Sequence, residues 1–246
     1  MSEPSQKVLI TGSSGAFGNY LVDAFLQDGW SVTGIDRATT GHAHDSRGAW
    51  NFIECDITDQ QTIAGPLSGA QDTGPFDVVI NNAGLIYSAP LLAFEGGALR
   101  LHDFDAWNKV LAATLSSAFY VSAHCAYRMV TSGKSGVIIN ISSICAEGNV
   151  GQAAYSAAKA GVNAMTVSLS KELGSLGIRV AAIAPGFFDT TSTRRAMSEE
   201  ALRKIRKSIP LGRLGEPRHL YHAVKFIIDN GYFHGKVLEL DGGLTI

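Results

Sequence analysis

Short apolar runs alternate along the chain with longer stretches in which apolar side chains recur every three or four positions. The runs are Val8-Leu9-Ile10, Ser31-Val32-Thr33-Gly34-Ile35, Asn51-Phe52-Ile53, Asp77-Val78-Val79-Ile80, Val137-Ile138-Ile139-Asn140-Ile141, Val180-Ala181-Ala182-Ile183 and Val237-Leu238-Glu239-Leu240. They are short for helices and almost wholly apolar, as strands are when helices cover both faces of a parallel sheet. Helical period fills the gaps, first at about 15–28. The pattern predicts an α/β fold, a Rossmann-type doubly wound parallel β-sheet with helices on both faces. No repeat and no Pro/Gly/Ser-rich linker divides the chain, so residues 1–246 are expected to form a single domain, with Ala38 to Ala49 as a solvated loop.

Charged residues make up 17% of the chain, too few for disorder, and the net charge of −2 offers no general attraction to nucleic acid or anionic lipid. Cys55, Cys125 and Cys145 are scattered without metal-ligand spacing and read as reduced thiols. His42 and His44 read as surface residues of the loop, so no metal is expected. The first residues lack an apolar signal-peptide stretch, and the longest apolar candidate, Leu111 to Tyr127, is interrupted by Thr, Ser and His. These features point to a cytoplasmic protein with no membrane span.

Directly after the first strand comes Thr11-Gly12-Ser13-Ser14-Gly15-Ala16-Phe17-Gly18, then a helical pattern through Leu21, Val22, Phe25 and Leu26. Strand, glycine-rich turn and helix in that order turn backbone N–H groups and a positive helix end toward a pyrophosphate. About twenty residues on, Asp36 ends the second strand, where a carboxylate accepts ribose hydroxyls and repels a 2′-phosphate. That favours NAD, while the neighbouring Arg37 keeps NADP possible, since a guanidinium grips phosphate in a fork.

Tyr155 and Lys159 stand four positions apart, hence on one face of a helix beginning near Gln152. One strand earlier lies Asn140-Ile141-Ser142-Ser143. With the glycine-rich turn, Cys55-Asp56-Ile57, Asn81-Asn82-Ala83-Gly84, Pro185-Gly186-Phe187-Phe188-Asp189-Thr190, Pro210-Leu211-Gly212-Arg213 and Asp241-Gly242-Gly243, these motifs resemble, in order, those of the short-chain dehydrogenase/reductase (SDR) family from Lys7 to Ile246. The resemblance implies an NAD(P)-dependent oxidoreductase that moves a hydride between nicotinamide and a secondary alcohol or ketone carbon. It places Ser143, Tyr155 and Lys159 in the catalytic group, with Ser142 as the fallback serine because Ser143 lies twelve positions before Tyr155, one fewer than the commonest family spacing. Cofactor contacts are implied at Gly12, Ser14, Gly15, Ala16, Phe17, Gly18, Asp36, Arg37, Asp56, Ile57, Asn82, Ala83, Gly84, Tyr155, Lys159, Pro185, Gly186, Phe188 and Thr190. The chain departs from the family at Ala16, where the middle glycine of the turn belongs, and at Thr114, which takes the slot of a catalytic asparagine.

The chemistry explains the trio. A phenol with an ordinary pKa of about 10 must be made more acidic to act as a base near neutral pH. A cation about 5 Å away contributes roughly 3 kcal/mol at an effective dielectric near 20, on the order of two pKa units. Lys159 and the oxidised nicotinamide would supply it; the resemblance further implies that Ser143 holds the substrate oxygen and Lys159 the nicotinamide ribose. With Thr114 in place of asparagine, a slower or more pH-sensitive enzyme is expected.

Substrate-binding segments are expected at about 85–104, where Leu85 to Phe94 would wall an apolar pocket, and at 187–210, with Phe187 and Phe188 opposite. The basic run Arg194, Arg195, Arg203, Lys204, Arg206 and Lys207 suits an anionic thioester, so a 3-oxoacyl-thioester (ACP or CoA) reductase is an alternative. A non-catalytic dinucleotide-binding regulator is the other. Small residues on the long helices, Ala112, Ala118, Ala157 and Ala160, together with the resemblance, imply a homo-oligomer, tetramer or dimer.

Overall fold

A computed structural model describes residues 6–38, 49–67 and 74–244. Each apolar run becomes a parallel strand: β1 (Lys7–Thr11), β2 (Ser31–Asp36), β3 (Trp50–Glu54), β4 (Val78–Asn81), then, beyond a separate hairpin of β5 (Leu92–Glu95) and β6 (Ala98–Leu101), β7 (Gly136–Ile141), β8 (Ile178–Pro185) and β9 (Val237–Leu240). The sheet order is β3-β2-β1-β4-β7-β8-β9. The chain runs outward from β1 to β3 and returns to the other side of β1 with β4, so a crevice opens between the carboxyl ends of β1 and β4.

Strand alternation divides the core between the two faces. Val8, Ile10, Val78, Ile80, Val137 and Ile139 meet α1 (Ala16–Gln27) and α8 (Pro217–Asp229) through Leu21, Val22, Phe25, Leu220, Val224 and Ile227. Leu9, Val79, Ile138 and Val180 meet α2 (Gln60–Leu67) and α4 (Ser117–Thr131) through Ile63, Leu67, Val121, Cys125 and Met129. Almost all of these side chains are fully buried, each worth about 1.5–3 kcal/mol of transfer free energy. Arg179 on β8 donates to the carbonyls of Ile227, Ile228, Asn230 and Phe233, closing the C-terminal end of α8.

The remaining helices are α3 (Phe104–Leu111), a π turn (Ala112–Ser116) joining it to α4, a short 3₁₀ turn (Ile144–Glu147), α5 (Ala153–Leu173), α6 (Thr191–Ala196) and α7 (Glu199–Ser208). Gln152 is the N-cap of α5 and Ser198 caps α7 by accepting from the Ala201 N–H. No described helix is long and apolar enough to cross a membrane. His42 and His44 lie outside the described residues; among those described, no cluster suited to a metal occurs.

The passage 85–104 differs from expectation. Leu85, Ile86 and Ser88 line the cleft, but Leu91, Leu92 and Phe94 do not. They belong instead to the β5–β6 hairpin or its base, where they are 50–79% exposed. Alternating side chains of a two-stranded ribbon project from opposite faces, and among the described residues no third layer covers this one.

Candidate active site

The glycine-rich turn is built by steric necessity. Gly12 has φ of +63°, and a Cβ there would sit 2.8 Å from the Cα of Ala83; a Cβ on Gly18 would sit 2.0 Å from the Gly12 carbonyl oxygen. The two glycines therefore bring α1 and the β4 turn against β1. Asn82 locks the junction by donating to the carbonyls of Thr11 and Gly12, and the Thr11 hydroxyl accepts from the N–H groups of Asn82 and Ala83. Helix α1 begins at Ala16 with Gly15 as N-cap and no side-chain cap, so its first N–H groups face the crevice unsatisfied by side chains. That is the donor set a pyrophosphate requires. The methyl of Ala16 is accommodated without positive φ.

Asp36 stands over this turn. One carboxylate oxygen accepts from the Ser14 N–H at 3.0 Å and the other from the Arg37 N–H at 2.7 Å. A carboxylate offers about four lone-pair sites, so each oxygen retains one for a ribose hydroxyl. The adjoining wall contains Asp56, whose carboxyl is held below its ordinary range by the backbone N–H and hydroxyl of Thr58. The residues present thus fit a dinucleotide.

All of these features open on one cleft of about 1240 Å³ that runs from Asp36 to Met197. Most expected contact residues line it, including Gly12, Gly15, Ala16, Phe17, Arg37, Ile57, Ala83, Gly84, Pro185, Gly186, Phe188 and Thr190. Ser14, Gly18 and Thr114 do not. Ser14 braces Asp36 and donates its hydroxyl to Ala38, Gly18 admits the helix, and Thr114 lies behind the wall.

Tyr155, Lys159, Ser142 and Ser143 meet near the middle of the cleft. Tyr155 and Lys159 lie one turn apart on α5, with Lys159 Nζ 5.6 Å from the centroid of the Tyr155 ring. Lys159 is 3% exposed and donates to the Ile141 carbonyl at 2.5 Å. Ser143 lines the cleft with Tyr155, its hydroxyl favouring the phenolate, and caps the 3₁₀ turn by accepting from the Cys145 N–H at 3.1 Å. Ser142 turns the other way, donating to the Lys159 carbonyl. Ser143, and not Ser142, is thus the serine whose hydroxyl acts on the phenol's acidity. A buried chain from Asn81 to Asn140 to Thr166, at 2.8 Å per step, pins α5 to the strand ends.

Burial pushes the Tyr155 phenol up to about 12, against a lowering contribution from the Ser143 hydroxyl and with a raising one from the Cys145 thiol. Burial also draws the Lys159 ammonium down to about 8. Desolvation is the leading cause of both shifts, so in the cofactor-free chain the lysine alone does not make the phenol acidic.

Thr114 sits in the π turn, 1% exposed, its hydroxyl accepting from the Leu85 N–H at 3.1 Å. A Cβ placed on Gly84 would lie 3.5 Å from that hydroxyl and 3.7 Å from Lys159 Nζ, so the two groups flank the same glycine. π turns recur at functional sites.

Sequence reasoning missed the polar rim at the substrate end. Asn149 donates to Gln152, and Gln152 donates to Ser88, each at 3.0 Å. Their position between a strand's carboxyl end and the Tyr155 helix was the available signal. It also missed Cys145, which lines the cleft.

The family model for short chain dehydrogenases matches residues 6–201. The chain is 32% identical to a 3-oxoacyl-[acyl-carrier-protein] reductase of Chlamydia trachomatis serovar D, over 98% of each chain. It is also 32% identical to the 3-hydroxyacyl-CoA dehydrogenase type-2 of Homo sapiens, over 97% of this chain and 94% of that one. Among solved structures, a short chain dehydrogenase from Leptospira borgpetersenii with bound NAD+ superposes with a TM-score of 0.86 at 28% identity, covering 98% of this chain and 93% of the other. With the motifs, the sheet order and the cleft in agreement over nearly its whole length, the chain belongs to the short-chain dehydrogenase family.

Proposed function

We propose that this NAD(P)-dependent oxidoreductase prefers NAD and interconverts a secondary alcohol and its ketone, with Tyr155 as acid and base. The observation that carries the reading is Tyr155, with Ser143 beside it and Lys159 Nζ over its ring, in the same cleft as Asp36. When bound, the nicotinamide supplies the carbon that gives or takes the hydride and, in its oxidised form, a positive charge. Gly12, Gly15 and Ala16 would hold the pyrophosphate, Asp36 the adenine ribose, Lys159 the nicotinamide ribose and Thr190 the carboxamide. In reduction, Ser143 holds the substrate oxygen and Tyr155 gives it a proton while hydride adds to the carbon; a phenol held near 12 is protonated and ready to donate. In oxidation, the alcohol proton passes to the Tyr155 oxygen as the C–H hydride departs. That direction requires the phenolate, which positive charge beside the ring must stabilise.

Leu85, Ile86 and Phe187, with the Ser88–Gln152–Asn149 rim, make the substrate end partly apolar and partly polar. A second reading is 3-oxoacyl-thioester reduction. Its support is the basic surface of α6 and α7, of which α6 reaches the cleft through Ser192, Thr193 and Ala196 and the link to α7 through Met197. Arg194 is tied to Asp189 and Lys204 to Glu200, while Arg195, Arg203 and Lys207 carry no ion pair among the described residues and could meet an anionic carrier. The names of the reductase and hydroxyacyl-CoA relatives agree with this. The three unpaired, buried thiols support a reducing, cytoplasmic setting. Phe119, Tyr127, Val130 and Val167, exposed on α4 and α5, support a homo-oligomer joined through those helices.

The test measures NADH oxidation against a panel of ketones and 3-oxoacyl thioesters. Tyr155→Phe is expected to lower turnover by about 10²–10⁴ while NADH still binds. Equal turnover in the variant would sink the reading and leave a dinucleotide-binding regulator.

A further inference from the structure

The β5–β6 hairpin carries an apolar face that nothing in the described chain covers. Its cross-strand pairs are Leu92 with Leu101 and Phe94 with Leu99 on one face, and Ala93 with Arg100 and Glu95 with Ala98 on the other. The four large side chains of the first face are 50%, 69%, 79% and 58% exposed in that order. Its only charges, Glu95 and Arg100, face the other way and approach each other at 3.9 Å. The ribbon is held in register by Gly96 and Gly97, with φ of +61° and +79°, the tight turn that matches strand twist. Its base is tied to the cleft: the His102 N–H donates to Leu91, and the Ala89 N–H to Gly151.

We infer that this face is where a second copy of the chain docks, hairpin against hairpin about a two-fold axis. Area supports it. The four side chains of the face offer on the order of 500 Å² of apolar surface, more than half of the about 800 Å² that one partner contributes to a standard interface. A contiguous patch of this size is at the upper end of what a monomer leaves in water and marks an interaction site. Charge supports it as well. The apolar face bears no charge to oppose its own copy, and the segment 85–104 contains no lysine, so anionic lipid gains nothing from it. An apolar, uncharged patch is complementary to itself, which is the requirement of an isologous contact. A two-stranded ribbon with no third layer is marginal alone, and the facing ribbon supplies that layer. The docking face lies on the segment that leads into Leu85, Ile86 and Ser88, so the partner would steady the substrate end of the cleft.

Sedimentation equilibrium of the full chain tests this, comparing wild type with Phe94→Ser/Leu99→Ser on the apolar face and Glu95→Gln/Arg100→Gln on the other. The apolar-face variant is expected to have half the wild-type mass, with self-association weakened about a hundredfold or more, while the opposite-face variant keeps the wild-type mass. Both should bind NADH as wild type does. Should the serine pair impair NADH binding, Leu92→Gln on the same face replaces it with the same expected loss of mass. Unchanged mass in the apolar-face variants overturns the inference. A monomeric wild type that instead sediments with phosphatidylglycerol vesicles overturns it in favour of a lipid surface.

Discussion

Replacing Lys159 with methionine should stabilise the cofactor-free protein near neutral pH while disabling it. The ammonium is wholly buried, and the fall of its pKa from 10.5 to about 8 corresponds to about 3 kcal/mol spent on keeping the proton in the folded state. Methionine is of similar length and needs no hydration, but it forfeits the hydrogen bond to the Ile141 carbonyl, worth about 1 kcal/mol. The net gain is about 2 kcal/mol below about pH 8. The sign then changes with pH. Because the folded pKa lies below the unfolded one, the unfolded wild type binds more protons between about pH 8 and 10.5, and wild-type stability rises through that window. The variant lacks this gain, so its advantage should vanish across the window and reverse by about 1 kcal/mol above it. Loss of the Tyr155 proton, displaced upward to about 12, lowers stability above about pH 10 in both proteins and largely cancels in the comparison. Urea unfolding of both proteins without cofactor, at steps of pH from neutral to alkaline, reads the difference directly. A difference that stays constant with pH, or a variant less stable near neutrality, would refute the reasoning.

Two further substitutions address specificity and the proton route. Asp36→Asn keeps an acceptor for the Ser14 N–H but removes the charge that repels a 2′-phosphate beside Arg37, so the ratio of kcat/KM for NADPH over NADH should rise about 10–100-fold; an unmoved ratio would show that Asp36 does not select the cofactor. Thr114→Asn restores the longer polar side chain next to Lys159 and should raise the rate or broaden its pH profile, and a variant matching wild type in both would show that the shortened side chain is no handicap.

The central parallel strands were legible because they are buried on both faces, so that Val8-Leu9-Ile10 and Val137-Ile138-Ile139 read as unbroken apolar runs. The position of the cleft followed from the glycines and from the order of the strands. The hairpin was not legible, since Leu92, Phe94, Leu99 and Leu101 have the composition of a pocket wall, and only the absence of a covering layer distinguishes the two. The direction of the Tyr155 shift was hidden for a related reason. Spacing puts the lysine near the phenol, but burial, which prevails, is a property of the assembled cleft. The Ser88–Gln152–Asn149 rim joins residues up to 64 positions apart, so only its Asn149–Gln152 end, between a strand end and the Tyr155 helix, left a signal in the sequence.

The π turn at Ala112–Ser116 amounts to a phase slip in one continuous helical rod from Phe104 to Thr131. In an uninterrupted α-helix, residues eleven apart return to nearly the same azimuth, about 20° off after three turns. Val110 and Val121 have that separation, yet Val110 packs with Tyr155 and Ile144, whereas Val121 packs against the sheet with Met129 and Ile138. One rod thus divides its allegiance between catalytic wall and central core. Removing a single residue from the slip would put the two valines ten positions apart, still about 80° off in a regular α-helix, so the rod would keep both its faces and lose only the wide turn that seats Thr114 beside Gly84.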